Sequence, residues 1–83
     1  MTTVTDITLR EIERAVERVT NRRVQISSEM VISRDLEIDS LALMNVVMEL
    51  EDAFDLSIPL DRLASVETAG DLSDVIKDLR SRG

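Results

Sequence analysis

Wherever apolar residues recur regularly in this chain, they recur at helical spacing. Leu9, Ile12, Val16 and Val19 follow one another at intervals of 3, 4 and 3. Leu43, Val46, Val47, Leu50 and Phe54 do so at 3, 1, 3 and 4, and Leu72, Val75, Ile76 and Leu79 form a further stripe. Such intervals set each group on one side of a helix, and no segment shows the alternation of a half-buried strand. One-sided helices in a chain of 83 residues can bury their apolar faces only against one another. The pattern predicts an all-α fold, a four-helix bundle with a short third helix and a long ordered loop between helices 1 and 2. At this length residues 1–83 are expected to form a single domain.

Boundary signals support that division. The first helix is expected over residues 5–19, with Thr8 and Glu11 spaced as a capping box and Thr5 or Asp6 able to cap an earlier start. Arg10, Arg14 and Arg18 fall four apart on its solvent side. Asp39 precedes the helix of residues 40–54 as an N-cap. Pro59 stops regular structure and can open a short turn of helix at 60–64, and Thr68 with Asp71 forms a capping box for the last helix. Residues 20–38 have no sustained period, and a connection that long needs anchoring. Val24, Ile26, Met30, Ile32, Leu36 and Ile38 can pin it to the helices, with a turn starting at Ser27 or Ser28.

Several chemistries are excluded by composition. The chain has no Cys and no His, so it lacks a thiol nucleophile, the usual general base and the commonest metal ligand. No calcium-loop spacing and no glycine-rich phosphate loop are present, and no metal site is expected. No stretch approaches the length of a membrane span and no signal pattern opens the chain, which points to the cytoplasm. A net charge of −7 with Phe54 as the single aromatic argues against nucleic acid as a partner.

The negative charge is concentrated. Residues 35–61 hold eight acids (Asp35, Glu37, Asp39, Glu49, Glu51, Asp52, Asp55 and Asp61) and no base. Within this stretch Leu41, Met44 and Met48 make a second apolar stripe, rotated away from the core stripe of the same helix. A helix at the edge of a small bundle buries one side, so part of this stripe should be exposed. Two of its members are Met, a side chain able to repack against different surfaces. An apolar centre ringed by Asp39, Glu49, Asp52 and Asp55 reads as a docking face for basic proteins. A wide core face is the plainer alternative, and for Leu43, Val47 and Ile76 core packing is the expected role.

Ser40 stands where this helix begins, between Asp39 and Leu41. Alone, a serine there is most simply a cap. The run Asp35-Leu36-Glu37-Ile38-Asp39-Ser40-Leu41, followed by Val46-Val47-Met48-Glu49-Leu50-Glu51-Asp52-Ala53-Phe54-Asp55-Leu56-Ser57-Ile58-Pro59, resembles the acyl carrier protein family. Val66-Glu67-Thr68-Ala69-Gly70-Asp71-Leu72 resembles that family's lead-in to its last helix, so the likeness covers roughly residues 31–79. The resemblance implies a four-helix carrier whose Ser40 bears 4′-phosphopantetheine, donated by coenzyme A, with acyl or aminoacyl groups held as thioesters. Asp39 and Leu41 would flank the attachment point. Partners would be a phosphopantetheinyl transferase, an acyl-loading ligase or acyltransferase, and synthases or transferases with basic docking patches. They would read Leu41, Met44, Met48, Glu49, Asp52 and Asp55 on a monomeric carrier that is itself no enzyme. The physical chemistry is compatible: a chain without Cys needs a borrowed thiol, and a phosphodiester suits a helix N-terminus.

The likeness is incomplete near the serine. Fatty-acid carriers usually have Gly and a small residue where this chain has Glu37 and Ile38, and acids where it has Ala42 and Asn45. Val75 replaces an aromatic often found in the last helix. These departures suggest a specialised carrier serving one pathway, in fatty-acid, polyketide or related biosynthesis. The rival reading is an unmodified acidic adaptor docking through Leu41, Met44 and Met48.

Overall fold

The computed structural model describes residues 7–82. It is all-α, with α1 at Ile7–Thr20, α2 at Ile32–Asp35, α3 at Ser40–Phe54, α4 at Leu60–Leu63 and α5 at Ala69–Arg82. The three long helices and the short one after Pro59 are those expected from the sequence; α2 is an extra turn of helix inside the long connection. Helix α1 packs against both α3 and α5. Ile12, Val16, Val46, Leu50, Leu72 and Ile76 are the largest fully buried side chains, two from each stripe, with α1 packed between the other two long helices. Val47 is buried with them, while Leu43 and Phe54, at the two ends of the α3 stripe, are only partly buried. Phe54 is covered from outside by Arg80, 4.9 Å from the ring centroid.

The caps explain where the elements start and stop. Thr8 is the second residue of α1 and is buried, so it does not cap that helix, and the alternative caps Thr5 and Asp6 lie outside the described residues. Asn21, in the left-handed region (φ 58°), closes α1 by donating its N–H to the Glu17 carbonyl at 2.8 Å. Thr68 and Asp71 cap α5 reciprocally, the Asp71 N–H donating to Thr68 Oγ1 and the Thr68 N–H to Asp71 Oδ2, both at 3.0 Å. Pro59 accepts from the Leu63 N–H at 3.2 Å and so opens α4.

The connection from α1 to α3 is ordered, as its apolar residues require. Ile26, Ile32, Leu36 and Ile38 are buried. The Met30 N–H closes a turn onto the Ser27 carbonyl at 3.2 Å, and Glu13 on α1 accepts from the Ile26 N–H at 2.8 Å. Three backbone bonds then strap the segment to the start of α5: Gly70 N–H to Ser28 O (2.8 Å), Ala69 N–H to Met30 O (2.9 Å) and Ile32 N–H to Glu67 O (2.9 Å). An antiparallel bridge pairs Val31 with Thr68. Gly70 has no substitute at this crossing, because a Cβ there would sit 2.8 Å from the Ser28 carbonyl oxygen.

Candidate functional site

Three pieces of chain converge on Ser40: α2, the turn Leu36–Asp39, and the residues before α5. Asp39 is extended (φ −82°, ψ −179°), and its carboxylate accepts from the Ala42 N–H at 2.8 Å, the N-cap bond expected of it. Its own carbonyl accepts from the Leu43 N–H at 2.8 Å. Ser40 is therefore the first residue of α3, and it is exposed. The N–H groups of Ser40 and Leu41 have no acceptor among the described residues and remain at the positive end of a 15-residue helix. That end favours an anionic group on the Ser40 side chain by about 0.3–1 kcal/mol.

Beside Ser40 opens a cleft of about 500 Å³, lined by Val31, Ile32, Ser33, Ile38, Asp39, Ser40, Leu43, Val66 and Glu67. Its floor is apolar and its rim carries Asp39 and Glu67 beside the hydroxyl of Ser33. Leu43 serves here as a wall as well as a core contact. The cleft was not foreseeable from local pattern, since Val31 and Val66 meet only through the strap. Among the described residues no side chain hydrogen-bonds the Ser40 hydroxyl, and no group of three or more Asp or Glu is arranged to hold a metal ion. The hydroxyl is thus presented without an activating base.

The second stripe stands where the sequence set it. Leu41 is 74 % exposed, Met48 62 % and Met44 39 %, on the side of α3 away from the core. Leu60, 68 % exposed at the start of α4, is a further large apolar side chain in solvent. Asp52 and Asp55 are exposed, and Asp55 (φ 55°) also ends α3, its N–H donating to the Glu51 carbonyl. Glu49 differs from the others in the acidic ring. Its carboxylate receives Arg18 from α1 at 3.0 Å, so one of the charges expected to stand unneutralised is paired across the helix boundary. Glu51 is also engaged, accepting the Ile58 N–H at 2.7 Å and holding the chain that leaves α3. Asp52 and Asp55 keep the open charge at the distal end, about 18–22 Å along the helix from Ser40. Arg22, unnoticed in the sequence, reaches the turn before Ser40, its Nη2 donating to the Leu36 carbonyl at 2.8 Å. No local periodicity marks that contact.

Carboxylates elsewhere are shifted by structural bonds. Backbone N–H groups of Thr68 and Glu67 hold the Asp71 carboxyl below its ordinary value, and the Val31 N–H, helped by Arg34, does the same for Asp35. Both belong to the strap that walls the cleft.

The chain is similar to several known proteins. The family model described as "Phosphopantetheine attachment site" matches residues 10–76. A curated protein of Caulobacter vibrioides named "Probable acyl carrier protein" is 66 % identical over 82 residues, spanning 99 % of this chain and 95 % of the relative. A solved structure from Mycobacterium tuberculosis, described as a candidate acyl carrier protein, superposes with a TM-score of 0.78 at 28 % identity, over 86 % of this chain and 96 % of that one.

Proposed function

The chain belongs to the phosphopantetheine-bearing acyl carrier protein family, and from that premise we propose that its arm is attached to the hydroxyl of Ser40. The protein carries acyl groups as thioesters in biosynthesis and is a substrate of partner enzymes, not a catalyst. The covalent 4′-phosphopantetheine supplies the thiol that a chain without Cys lacks. The observation that carries the assignment is the exposed Ser40 hydroxyl at the unpaired N-terminus of α3, fixed by the Asp39 cap. In the modification, Ser40 Oγ bonds to the phosphorus of the phosphopantetheine half of coenzyme A. The phosphoanhydride P–O bond breaks, adenosine 3′,5′-bisphosphate leaves, and the hydroxyl proton passes to a base of the transferase. The apolar cleft beside Ser40 suits the root of the arm, with Ile32, Ile38, Leu43 and Val66 offering contact.

The carrier interacts with a phosphopantetheinyl transferase and with acyl-transfer enzymes. Leu41, Met44 and Met48 are our choice for the adhesive centre of that contact, with Asp52 and Asp55 steering partners that present basic patches. Glu49 contributes less, being shared with Arg18. Among the described residues no helix is long and apolar enough to cross a membrane. We read residues 1–83 as one carrier domain, acting as a monomer among cytoplasmic partners and not on nucleic acid. The departures at Glu37, Ile38, Ala42 and Asn45 favour a specialised cargo over housekeeping fatty-acid synthesis.

Incubation of the apo-protein with coenzyme A, magnesium and a broad-specificity transferase should add the mass of one phosphopantetheine, and Ser40→Ala should add none. A wild-type chain that stays unmodified while a control carrier is loaded would refute the assignment. Met44→Glu should slow loading while leaving Ser40 in place; an adaptor working without the arm would lose function on Met44→Glu and keep it on Ser40→Ala.

A further inference from the structure

The turn that delivers Ser40 depends on a backbone conformation that side chains disfavour. Glu37 has φ of 53°, in the left-handed region where Cβ crowds the following carbonyl oxygen. The turn cannot be dispensed with. It reverses the chain out of α2 so that the Ile38 N–H returns to the Ile32 carbonyl at 3.4 Å, and it brings Asp39 to the extended conformation from which it caps α3. A residue that resists this conformation needs something else to hold it, and Arg22 is placed to do so.

Arg22 follows α1 and crosses to the turn. Its Nη2 donates at 2.8 Å to the carbonyl of Leu36, the oxygen of the peptide that leads directly into Glu37. Its Nη1 lies 3.9 Å from the Glu37 carboxylate. Beneath the turn, the Leu36 and Ile38 side chains are buried, so the peptide plane is clamped between the core and the guanidinium. Arg22 is anchored at its own backbone, its N–H donating to Thr20 Oγ1 at 3.3 Å while that hydroxyl donates to the Val16 carbonyl at 2.7 Å. A continuous series of bonds therefore runs from the end of α1, through Arg22, to the segment that ends in Asp39 and Ser40.

We propose that Arg22 is a positioning residue for modification of Ser40: it fixes the Leu36–Glu37 peptide in the left-handed turn and thereby the cap and the hydroxyl that follow. The role rests on Ser40 being the attachment point. It acts through backbone geometry, so it should vanish when residue 37 accepts a positive φ unaided, as glycine does.

The test is transfer kinetics with apo-protein, coenzyme A, magnesium and one broad-specificity transferase, across Arg22→Met, Arg22→Lys, Glu37→Gly and the double variant Arg22→Met/Glu37→Gly. Arg22→Met, which keeps the stem and removes every donor, should lower kcat/KM about tenfold, chiefly in kcat, because the nucleophile is misplaced after docking. Arg22→Lys should recover most of that loss. In the Glu37→Gly background the same Arg22→Met change should cost less than about twofold. Arg22→Met loading as fast as wild type would overturn the proposal, as would a loss of undiminished size in the glycine background or one confined to KM. Helix content by circular dichroism accompanies each assay. If Arg22→Met is unfolded, the comparison moves to Arg22→Gln, whose amide falls short of the Leu36 carbonyl and whose loss must then shrink to less than about twofold with Glu37→Gly for the proposal to stand. A wild-type chain that gains no mass overturns the attachment reading and the positioning role together. Wild type and Arg22→Met loading equally overturns the positioning role alone.

Discussion

Ser73 lies on the inner side of α5 with 2 % of its surface exposed, and its hydroxyl has no hydrogen-bond partner. A buried hydroxyl left without a partner gives up its water without recompense, at a cost of about 1–3 kcal/mol. Alanine fills nearly the same volume and removes the group. Ser73→Ala should therefore raise the unfolding free energy by roughly 1 kcal/mol and the melting midpoint by about 4–8 °C, measured by urea titration and thermal melting followed by circular dichroism. Ser40 is the contrasting serine. Its hydroxyl is unpartnered too, but it is in solvent, where the lack of a protein partner costs nothing and leaves the oxygen available. One hydroxyl is a packing compromise and the other is the attachment point we propose, and burial is what separates them.

At the scale of elements, the strap between the long connection and α5 is closed at each end by a carboxylate. Asp35 accepts the Val31 N–H at 2.8 Å, and Asp71 accepts the Glu67 and Thr68 N–H groups at 3.0 Å each. These bonds hold both carboxyls below their ordinary value of 3.8. A group whose pKa is depressed on folding stabilises fully above its unfolded pKa, and that contribution is lost as pH falls through the folded one. Asp71→Asn should thus be less stable than wild type at pH 7, and the gap should close below about pH 4; urea midpoints of the two proteins across that range give the difference directly, with the shared effect of the other acids cancelled. The same elements show which parts of the fold a reader of sequence can reach. The long helices announce themselves through stripes, and the caps at Asp39 and Thr68–Asp71 through residue types with one local use. Ser40 and its cap belong to that legible class. Helix α2 does not, because the four residues Ile32–Asp35 make about one helical turn, too few for a period to repeat, and are placed by the bond from Ile32 to Glu67. The cleft is hidden for the same reason: Val31, Ser33, Val66 and Glu67 become neighbours only through tertiary pairing. Arg18 with Glu49, 31 residues apart, is out of reach of any local rule.

The whole molecule is electrically lopsided. Of its charge of −7, residues 35–61 contribute −8, with eight acids and no base, and the rest of the chain +1, Arg10, Arg14, Arg18, Arg22 and Arg23 of α1 and the segment after it being set against Glu11, Glu13, Glu17 and Glu29. Crowding like charges on one side strains the folded state and, at the same time, attracts basic partners from a distance. Added salt should therefore act in opposite directions on the two properties. Raising ionic strength from about 0.01 M to 0.1 M shortens the Debye length from about 30 Å to 10 Å, which should raise the melting temperature by relieving self-repulsion and slow association with a transferase by weakening steering. Arg18 is the lever that separates these effects, because it is the α1 residue that reaches into the acidic ring, at Glu49. Arg18→Gln frees that carboxylate. A unit charge seen through water at about 10 Å is worth about 0.4 kcal/mol, so the association rate at low salt should rise about twofold and become steeper in salt. Stopped-flow binding of the apo-protein to the transferase, over a salt series, measures both quantities. A rate that falls on Arg18→Gln would mean that the partner reads the arginine of α1 itself, and would move the docking surface we propose off α3 and across the boundary between the two helices.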